Sequence, residues 1–263
     1  MILSSASPAG VVLTLAAAAA YALPAAGAAR LSEQAARRGL LAAWLLHAAT
    51  LVWGLFGDTP RFGFAPALSV TAWLVLTCYA VERQMFPQLR ARWALAALGA
   101  AAVVLALVFP GTPLHVASSP WLSLHWALGV AAYGLFAAAA VHAWLLQRVE
   151  HSMRNAAEPQ AGMPLLTLER LTFRFAAAGF VVLSATLLAG IVFRESLGAW
   201  RWDHKTVFSV MSWVAFAALL LGRMRFGLRG RRAVNFIYVG SLLLLLAYVG
   251  SRFVLEVVLK RAA

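Results

Sequence analysis

The stretch GAWRWDHKTVFSVMSWVAFAALLLG, residues 198–222, passes from a charged, tryptophan-rich run into a long apolar segment. No charged residue occurs between positions 206 and 222. A helix that spans a membrane needs about 20 mostly apolar residues. The stretch therefore predicts a membrane helix that begins directly after an aromatic and charged edge, WRWDHK.

The composition extends this prediction to the whole chain. Of 263 residues, 63% are hydrophobic and 12% are charged, whereas soluble domains are roughly half apolar and about a quarter charged. The single cysteine, Cys78, excludes an intrachain disulfide and a cysteine metal site. The net charge of +13 would suggest nucleic acid for a soluble protein. Here the arginines lie in short connections between apolar segments, so we expect membrane lipid and no nucleic acid as a partner.

Apolar segments recur along the chain and predict an all-α, polytopic integral membrane protein with about eight transmembrane helices in a single membrane domain, 1–263. Most of the 22 Lys and Arg residues lie in the connections after the odd-numbered segments. The positive-inside rule places those connections in the cytoplasm, both termini outside and WRWDHK on the outer face. The start, MILSSASPAGVV, lacks the positive region of a signal peptide, so the first helix is expected to be retained. The eight segments are 9–29, 39–57, 63–81, 93–110, 121–147, 172–193, 206–222 and 235–258.

Histidines in membrane segments are candidates for function, because ionisable groups are costly in lipid. His47 lies near the middle of the second segment, His125 near the outer end of the fifth and His142 toward its inner end. The separation of His125 from His142 corresponds to about 25 Å along a helix, so they cannot bind one iron. His115 and His204 share the outer edge with His125.

The outer residues suggest a haem site. A pair of imidazoles suits haem iron, and His125 and His204 are the candidate axial ligands. Trp200 and Trp202 would supply flat apolar surface beside Asp203, and His47 is a further cofactor-binding candidate. The basic residues that could pair with the haem propionates are Arg194, Arg201 and Lys205.

The outer segment also has a structural interpretation. Tryptophans near helix ends commonly anchor a helix at the membrane interface, which applies to Trp200 and Trp202. Asp203 is a typical N-cap for the following helix. Other tryptophans expected to be anchors are Trp53, Trp93, Trp121 and Trp144.

Structural alternatives exist inside the membrane as well. His47 fits a buried, hydrogen-bonded histidine, and His142 fits a donor to a neighbouring helix backbone. His151 lies in a charged connection and is expected to be solvated. Arg252 and Glu256 are four residues apart, which predicts an ion pair on the last helix.

Five pieces of the sequence, in order, carry a family resemblance: SSPWLSLHWALGVAAYGLFAAA, MPLLTLERLTFR, GAWRWDHKTVFSVMSW, GLRGRRAVNF and LAYVGSRFVLE. From about 118 to 258 the chain resembles the cytochrome c assembly family of CcsA and CcmC type. Its length and order are most similar to the small HemX/YpjD-like branch of inner-membrane proteins. The resemblance implies haem presentation at a tryptophan-rich outer segment, here reduced to WRWDHK.

The resemblance also implies site residues. His125 matches the outer histidine of the family, and His47 resembles its membrane histidine in position. A second outer histidine is expected after the last helix, where SRFVLEVVLKRAA has none, and a further membrane histidine is expected where LLLGRMR has Gly222. His204 is the candidate replacement for the missing outer ligand.

Three functions remain open from the sequence. The first is a non-enzymatic haem-handling protein of a bacterial inner membrane, working with other cytochrome c maturation proteins. The second is an accessory or regulatory subunit, of cation efflux or haem biosynthesis, that keeps the fold without haem. The arginine-rich inner connection RMRFGLRGRR would then be a docking surface for a membrane partner, or simply a contact with anionic lipid. A small transporter ranks lowest, since repeats and intramembrane carboxylate pairs are missing.

Overall fold

The computed structural model describes residues 8–26, 32–56, 60–85, 92–113, 120–154, 164–192 and 203–259. Within these residues the chain forms eight helices and one small two-stranded antiparallel sheet. The helices are α1 (Pro8–Ala26), α2 (Glu33–Phe56), α3 (Phe64–Met85), α4 (Arg92–Val108), α5 (Pro120–Arg154), α6 (Leu165–Val192), α7 (His204–Phe226) and α8 (Gly230–Val258). The strands are β1 (Arg61–Phe62) and β2 (Thr112–Pro113).

Six of these helices, α2, α3, α5, α6, α7 and α8, are long and apolar enough to cross a membrane, and α1 and α4 are shorter apolar helices. The prediction of an all-α, polytopic membrane protein is therefore confirmed. Each predicted segment coincides with a helix, but several helices are longer than their apolar segments. α2 begins at Glu33, α5 continues to Arg154 and α6 begins at Leu165. The helical backbone hydrogen bonds continue into residues of lower hydropathy. A prediction from hydropathy alone therefore underestimates the length of these helices.

The described residues group into two compact units. The first contains the described residues within 1–82, 90–115 and 252–263, and the second contains those within 83–89 and 116–251. In the first unit α1 packs against α2 and α4. Tyr21 is fully buried there, and a Cβ atom on Gly99 would lie 2.8 Å from its ring. Phe64, at the start of α3, packs on Phe109 and Phe253, each at a centroid distance of 5.3 Å.

The second unit is built around two stacked phenylalanines. The rings of Phe136 on α5 and Phe216 on α7 lie 3.8 Å apart at 13°, and both side chains are buried. Gly179 on α6 faces the Phe136 ring and Gly240 on α8 faces the Phe216 ring. Four helices thus meet at one aromatic pair, because two of them carry glycine at the contact.

The helix α8 is irregular. It is α-helical over Gly230–Leu245 and contains two π-helical stretches, Leu246–Gly250 and Val254–Val258. Tyr133 on α5 donates a hydrogen bond to the carbonyl of Leu244, directly before the first stretch. A side-chain donor at this carbonyl offsets the local change in backbone hydrogen bonding.

Candidate functional site

His125 lies in the second turn of α5, where one of its ring nitrogens is not used by the fold. Its Nδ1 atom is buried and has no hydrogen-bond partner among the described residues. The ring lies beside the backbone of Thr186 on α6. Because buried polar atoms are nearly always hydrogen-bonded, an imidazole nitrogen without a partner among the described residues is available to bind a ligand.

His204 is the first residue of α7, and its side chain is exposed. Asp203 precedes it in extended conformation and accepts a hydrogen bond of 2.9 Å from the N–H of Thr206. The predicted N-cap is therefore confirmed. Burial acts to raise the pKa of Asp203, but the hydrogen bonds from Thr206 and the charges of Lys205 and His204 outweigh it and lower that pKa. The cap fixes the start of α7 and hence the position of His204.

Helix pairing places the two histidines at the same end of the second unit. The contacts between Gly129 and Thr186 and between His142 and Phe175 show that α5 runs antiparallel to α6. Trp213 on α7 donates to Ser184 on α6 at 2.8 Å, and nearer the other end Arg223 contacts Glu169. α7 is therefore also antiparallel to α6. The first residues of α5 and of α7 therefore lie beside the carboxyl end of α6. We term this end of the second unit the His125 end.

The tryptophans that would supply the flat apolar surface of the predicted site lie outside the described residues. This applies to Trp200 and Trp202, and also to His115, Arg194 and Arg201. Trp213, the third tryptophan of the opening stretch, is described and packs on Phe180 with a centroid distance of 5.3 Å. It has a packing role, which sequence analysis did not assign.

His47 lies in the first unit, in a chain of hydrogen bonds through three helices. Its Nδ1 atom is 3.1 Å from the hydroxyl of Tyr21 on α1, and its Nε2 atom is 2.8 Å from the hydroxyl of Ser69 on α3. All three side chains are buried. Both ring nitrogens are thus engaged, which is the buried, hydrogen-bonded alternative foreseen from the sequence.

The other polar groups of the membrane segments also have structural contacts. His142 shares a 2.8 Å hydrogen bond with the carbonyl of Ala138, one turn earlier on α5. This bond lies within its own helix, because a carbonyl four residues back is in reach. Glu256 interacts electrostatically with Arg252 and with the backbone of Phe64.

The described residues at the His125 end include side chains of the kind that can hold a haem iron. Two protein ligands suffice for iron in a porphyrin, and the His125 end offers two imidazoles, one with an unpartnered nitrogen. Exposed aromatic surface is present there, since Trp121 and Trp126 on α5 are 43% and 41% exposed. Among the described residues no group of three or more His, Cys, Asp or Glu side chains is arranged to hold a metal ion.

Several polar contacts were not foreseen from the sequence. Trp44 donates to Thr77 at 2.9 Å and stacks on Trp73 at 5.1 Å, one turn of α2 from His47. Arg223 donates to Glu169 at 2.7 Å. These partners are distant in the chain, so a pattern within one helix does not reveal them.

The fold and its spans define a multi-pass membrane protein of the α-helical class. Residues 33–259 match the family model described as cytochrome C assembly protein. The chain belongs to the cytochrome c assembly protein family. The match begins before residue 118, where the resemblance read from the sequence begins.

Individual relatives agree with this assignment. The inner membrane protein YpjD of Escherichia coli K12 is 32% identical over 146 residues, which cover 55% of this chain and 56% of YpjD. A 28.8 kDa protein of Azospirillum brasilense is 38% identical over 144 residues, 53% of each chain. The cytochrome c biogenesis protein CcsA of Gloeobacter violaceus is 34% identical over 92 residues, 34% of this chain and 27% of CcsA.

The alignments thus span about half the length of the first two relatives. No solved structure matches the chain. The spanning helices, the family and the similarity to YpjD together identify a multi-pass protein of a bacterial inner membrane.

Proposed function

We propose that this protein binds haem at the His125 end of its second unit and presents it during cytochrome c biogenesis, without a catalytic cycle of its own. The observation that carries the proposal is the buried, unpartnered Nδ1 atom of His125. Family membership and the similarity to CcsA proteins support the same role.

Each residue of the proposed site has a distinct task. His125 and His204 would hold the haem iron, and Trp200 and Trp202, which lie outside the described residues, would supply flat apolar surface for the macrocycle. Asp203 holds the first turn of α7 through Thr206, which orients His204. When bound, haem supplies the iron that both imidazoles recognise. His47 is not assigned to the site, since both of its nitrogens have protein partners.

The proposal includes an orientation and a class of partner. The eight apolar segments suggest eight spans, and the distribution of arginines places both termini and the His125 end outside. Covalent attachment of haem to an apocytochrome requires reduced thiols, and this chain has one cysteine, within α3. Other cytochrome c maturation proteins would therefore supply the reductant and the acceptor.

The test is the absorption spectrum of the purified protein, oxidised and then reduced with dithionite. We expect a Soret band and sharp reduced α and β bands, which are typical of two imidazole ligands. His125→Ala should abolish the low-spin spectrum, and His204→Ala should abolish it or convert it to a high-spin spectrum. His151→Ala is the matched control, because His151 is an exposed histidine at the opposite end of α5.

A further measurement distinguishes the loss of a haem ligand from the loss of the fold. In His125→Gly, added imidazole should restore the low-spin bands if the histidine acts as a ligand. An unchanged spectrum in both the His125 and His204 variants would overturn the site.

The second candidate, an accessory subunit without haem, is favoured by one observation. The cap formed by Asp203 gives the segment before α7 a structural role that needs no cofactor. A colourless protein that also fails to take up added haemin would support this candidate and contradict the first.

A further inference from the structure

Residues 222–232, which comprise the end of α7, the connection 227–229 and the start of α8, form a compact turn that we term the α7–α8 turn. Gly227 and Gly230 both have φ of 62°, a conformation that glycine adopts without steric cost. The N–H of Gly227 donates to the carbonyl of Arg223 at 3.1 Å, and the N–H of Leu228 donates to that of Gly222 at 3.2 Å. The side chains around it are therefore presented in a fixed arrangement.

Two arginines of this turn contact a carboxylate of the fold. Arg223 donates to Glu169 on α6 at 2.7 Å, and its guanidinium lies 3.5 Å from the ring centre of Phe173. Arg229 approaches the same carboxylate at 3.6 Å. Glu169 is thus shared between two arginines and ties the turn to the start of α6.

Three arginines of the turn remain uncompensated. Arg225, Arg231 and Arg232 are exposed and make no ion pair with the part of the chain that the structure describes. The sequence contains no acidic residue between Asp203 and Glu256. The turn therefore carries a concentrated positive charge that an external anion would neutralise.

Large apolar side chains lie among these charges. Met224 is 80% exposed and Phe226 is 87% exposed, and both lie in the last turn of a helix long enough to span a membrane. Apolar side chains at such a helix end enter the acyl region, while arginines reach toward the head groups. A soluble acidic partner would leave Met224 and Phe226 without an apolar environment, whereas a phospholipid supplies both an acyl chain and a phosphate.

We propose that the α7–α8 turn is a binding site for the head group of an anionic phospholipid. Arg225, Arg231 and Arg232 bind the head group, and Met224 and Phe226 contact its acyl chains. Arg223 and Glu169 position the turn. This site lies at the other end of α7 from His204 and is independent of haem binding.

The experiment is a titration of the detergent-purified full chain with phosphatidylglycerol or phosphatidylcholine, read by native mass spectrometry. Arg231→Gln/Arg232→Gln is compared with Arg37→Gln/Arg38→Gln. Both variants remove two adjacent exposed arginines near the start of a helix. We expect phosphatidylglycerol to bind the turn variant about tenfold more weakly or worse, and the control variant within about twofold of the unmodified protein.

Other outcomes would overturn the proposal. Equal binding of the two lipids would do so, and so would equal losses in the two arginine variants, which would indicate general surface charge. Displacement of the lipid by inorganic phosphate at equal concentration would contradict a contribution from acyl chains. Phe226→Ala, which keeps every charge, should also weaken the binding of phosphatidylglycerol. A photoreactive residue at position 226 that captures a protein in cells, with lipid binding unchanged in the turn variant, would assign the turn to a protein partner instead.

Discussion

His47, His125 and His142 are three imidazoles of the membrane segments in three different environments. His47 has partners on both nitrogens, His142 bonds to its own helix, and His125 has a buried Nδ1 atom without a partner. The sequence predicts that all three lie in apolar segments, and the family resemblance matches His125 to an outer histidine and His47 to a membrane histidine. It could not separate their roles, because Tyr21 and Ser69 are 26 and 22 residues from His47.

At the residue scale, the His47 chain leads to a stability prediction. His47→Ala should lower the free energy of unfolding by about 2 kcal/mol, since it leaves a small cavity and two buried hydroxyls without their partner. Tyr21→Phe should cost less, about 1 kcal/mol, because one membrane hydrogen bond is lost while the ring packing is retained. Unfolding of the purified protein in mixed micelles with increasing SDS would measure both.

His151→Ala is the control for this series, as His151 is exposed. It should unfold at the same SDS fraction as the unmodified protein. A Tyr21→Phe variant that loses as much stability as His47→Ala would show that the hydroxyl, and not the imidazole, organises the three helices.

At the scale of elements, the sequence predicted where helices occur better than where they end. The order and number of apolar segments agree with α1–α8, and the cap at Asp203 was predicted from its residue type. The extra turns of α5 and α6 were missed. Residues 165–171 contain Glu169 and Arg170, which lower the hydropathy, but Leu168 is buried in the unit and Glu169 bonds to Arg223. Tertiary contacts therefore stabilise these first turns of α6, which the local hydropathy pattern does not predict.

The aromatic pair at the centre of the second unit provides a prediction about helix packing. A Cβ atom at Gly240 would lie 2.6 Å from the ring of Phe216, too close for any real contact. Gly240→Ala should therefore destabilise the protein by about 1–3 kcal/mol, the usual cost of overpacking. The measurement is the apparent melting temperature in detergent.

Gly54→Ala is the matched change, because nothing lies within 4 Å of the added atom on α2. It should leave the melting temperature unchanged or raise it slightly, as alanine favours a helix. A second test combines Gly240→Ala with Phe216→Leu, which removes the ring that the added methyl meets. Recovery of stability in the double variant is expected, and its absence would mean that the loss arises elsewhere on α8.

At the scale of the whole molecule, sequence and structure contribute different parts of the argument. Composition establishes a membrane protein, and the resemblance identifies a family that the match over residues 33–259 confirms. The pairing of α5 and α7 with α6 could not be read from hydropathy, because every membrane helix has an apolar surface whichever neighbour it meets. That pairing is what places His125 and His204 at one end of the second unit.

The distribution of charge along the whole chain leads to the last prediction, the orientation in the membrane. Arginines are concentrated after the odd-numbered helices, so the positive-inside rule places His151 in the cytoplasm and His204 outside. In a Cys78→Ser background, His204→Cys should react with a membrane-impermeant maleimide in intact spheroplasts. His151→Cys should react only after the membrane is permeabilised. Both positions are exposed, so a difference in labelling reports the side of the membrane and not burial. Labelling of position 151 alone in intact spheroplasts would reverse the orientation, and would move the proposed haem site to the cytoplasmic face, where apocytochromes are not expected to receive haem from it.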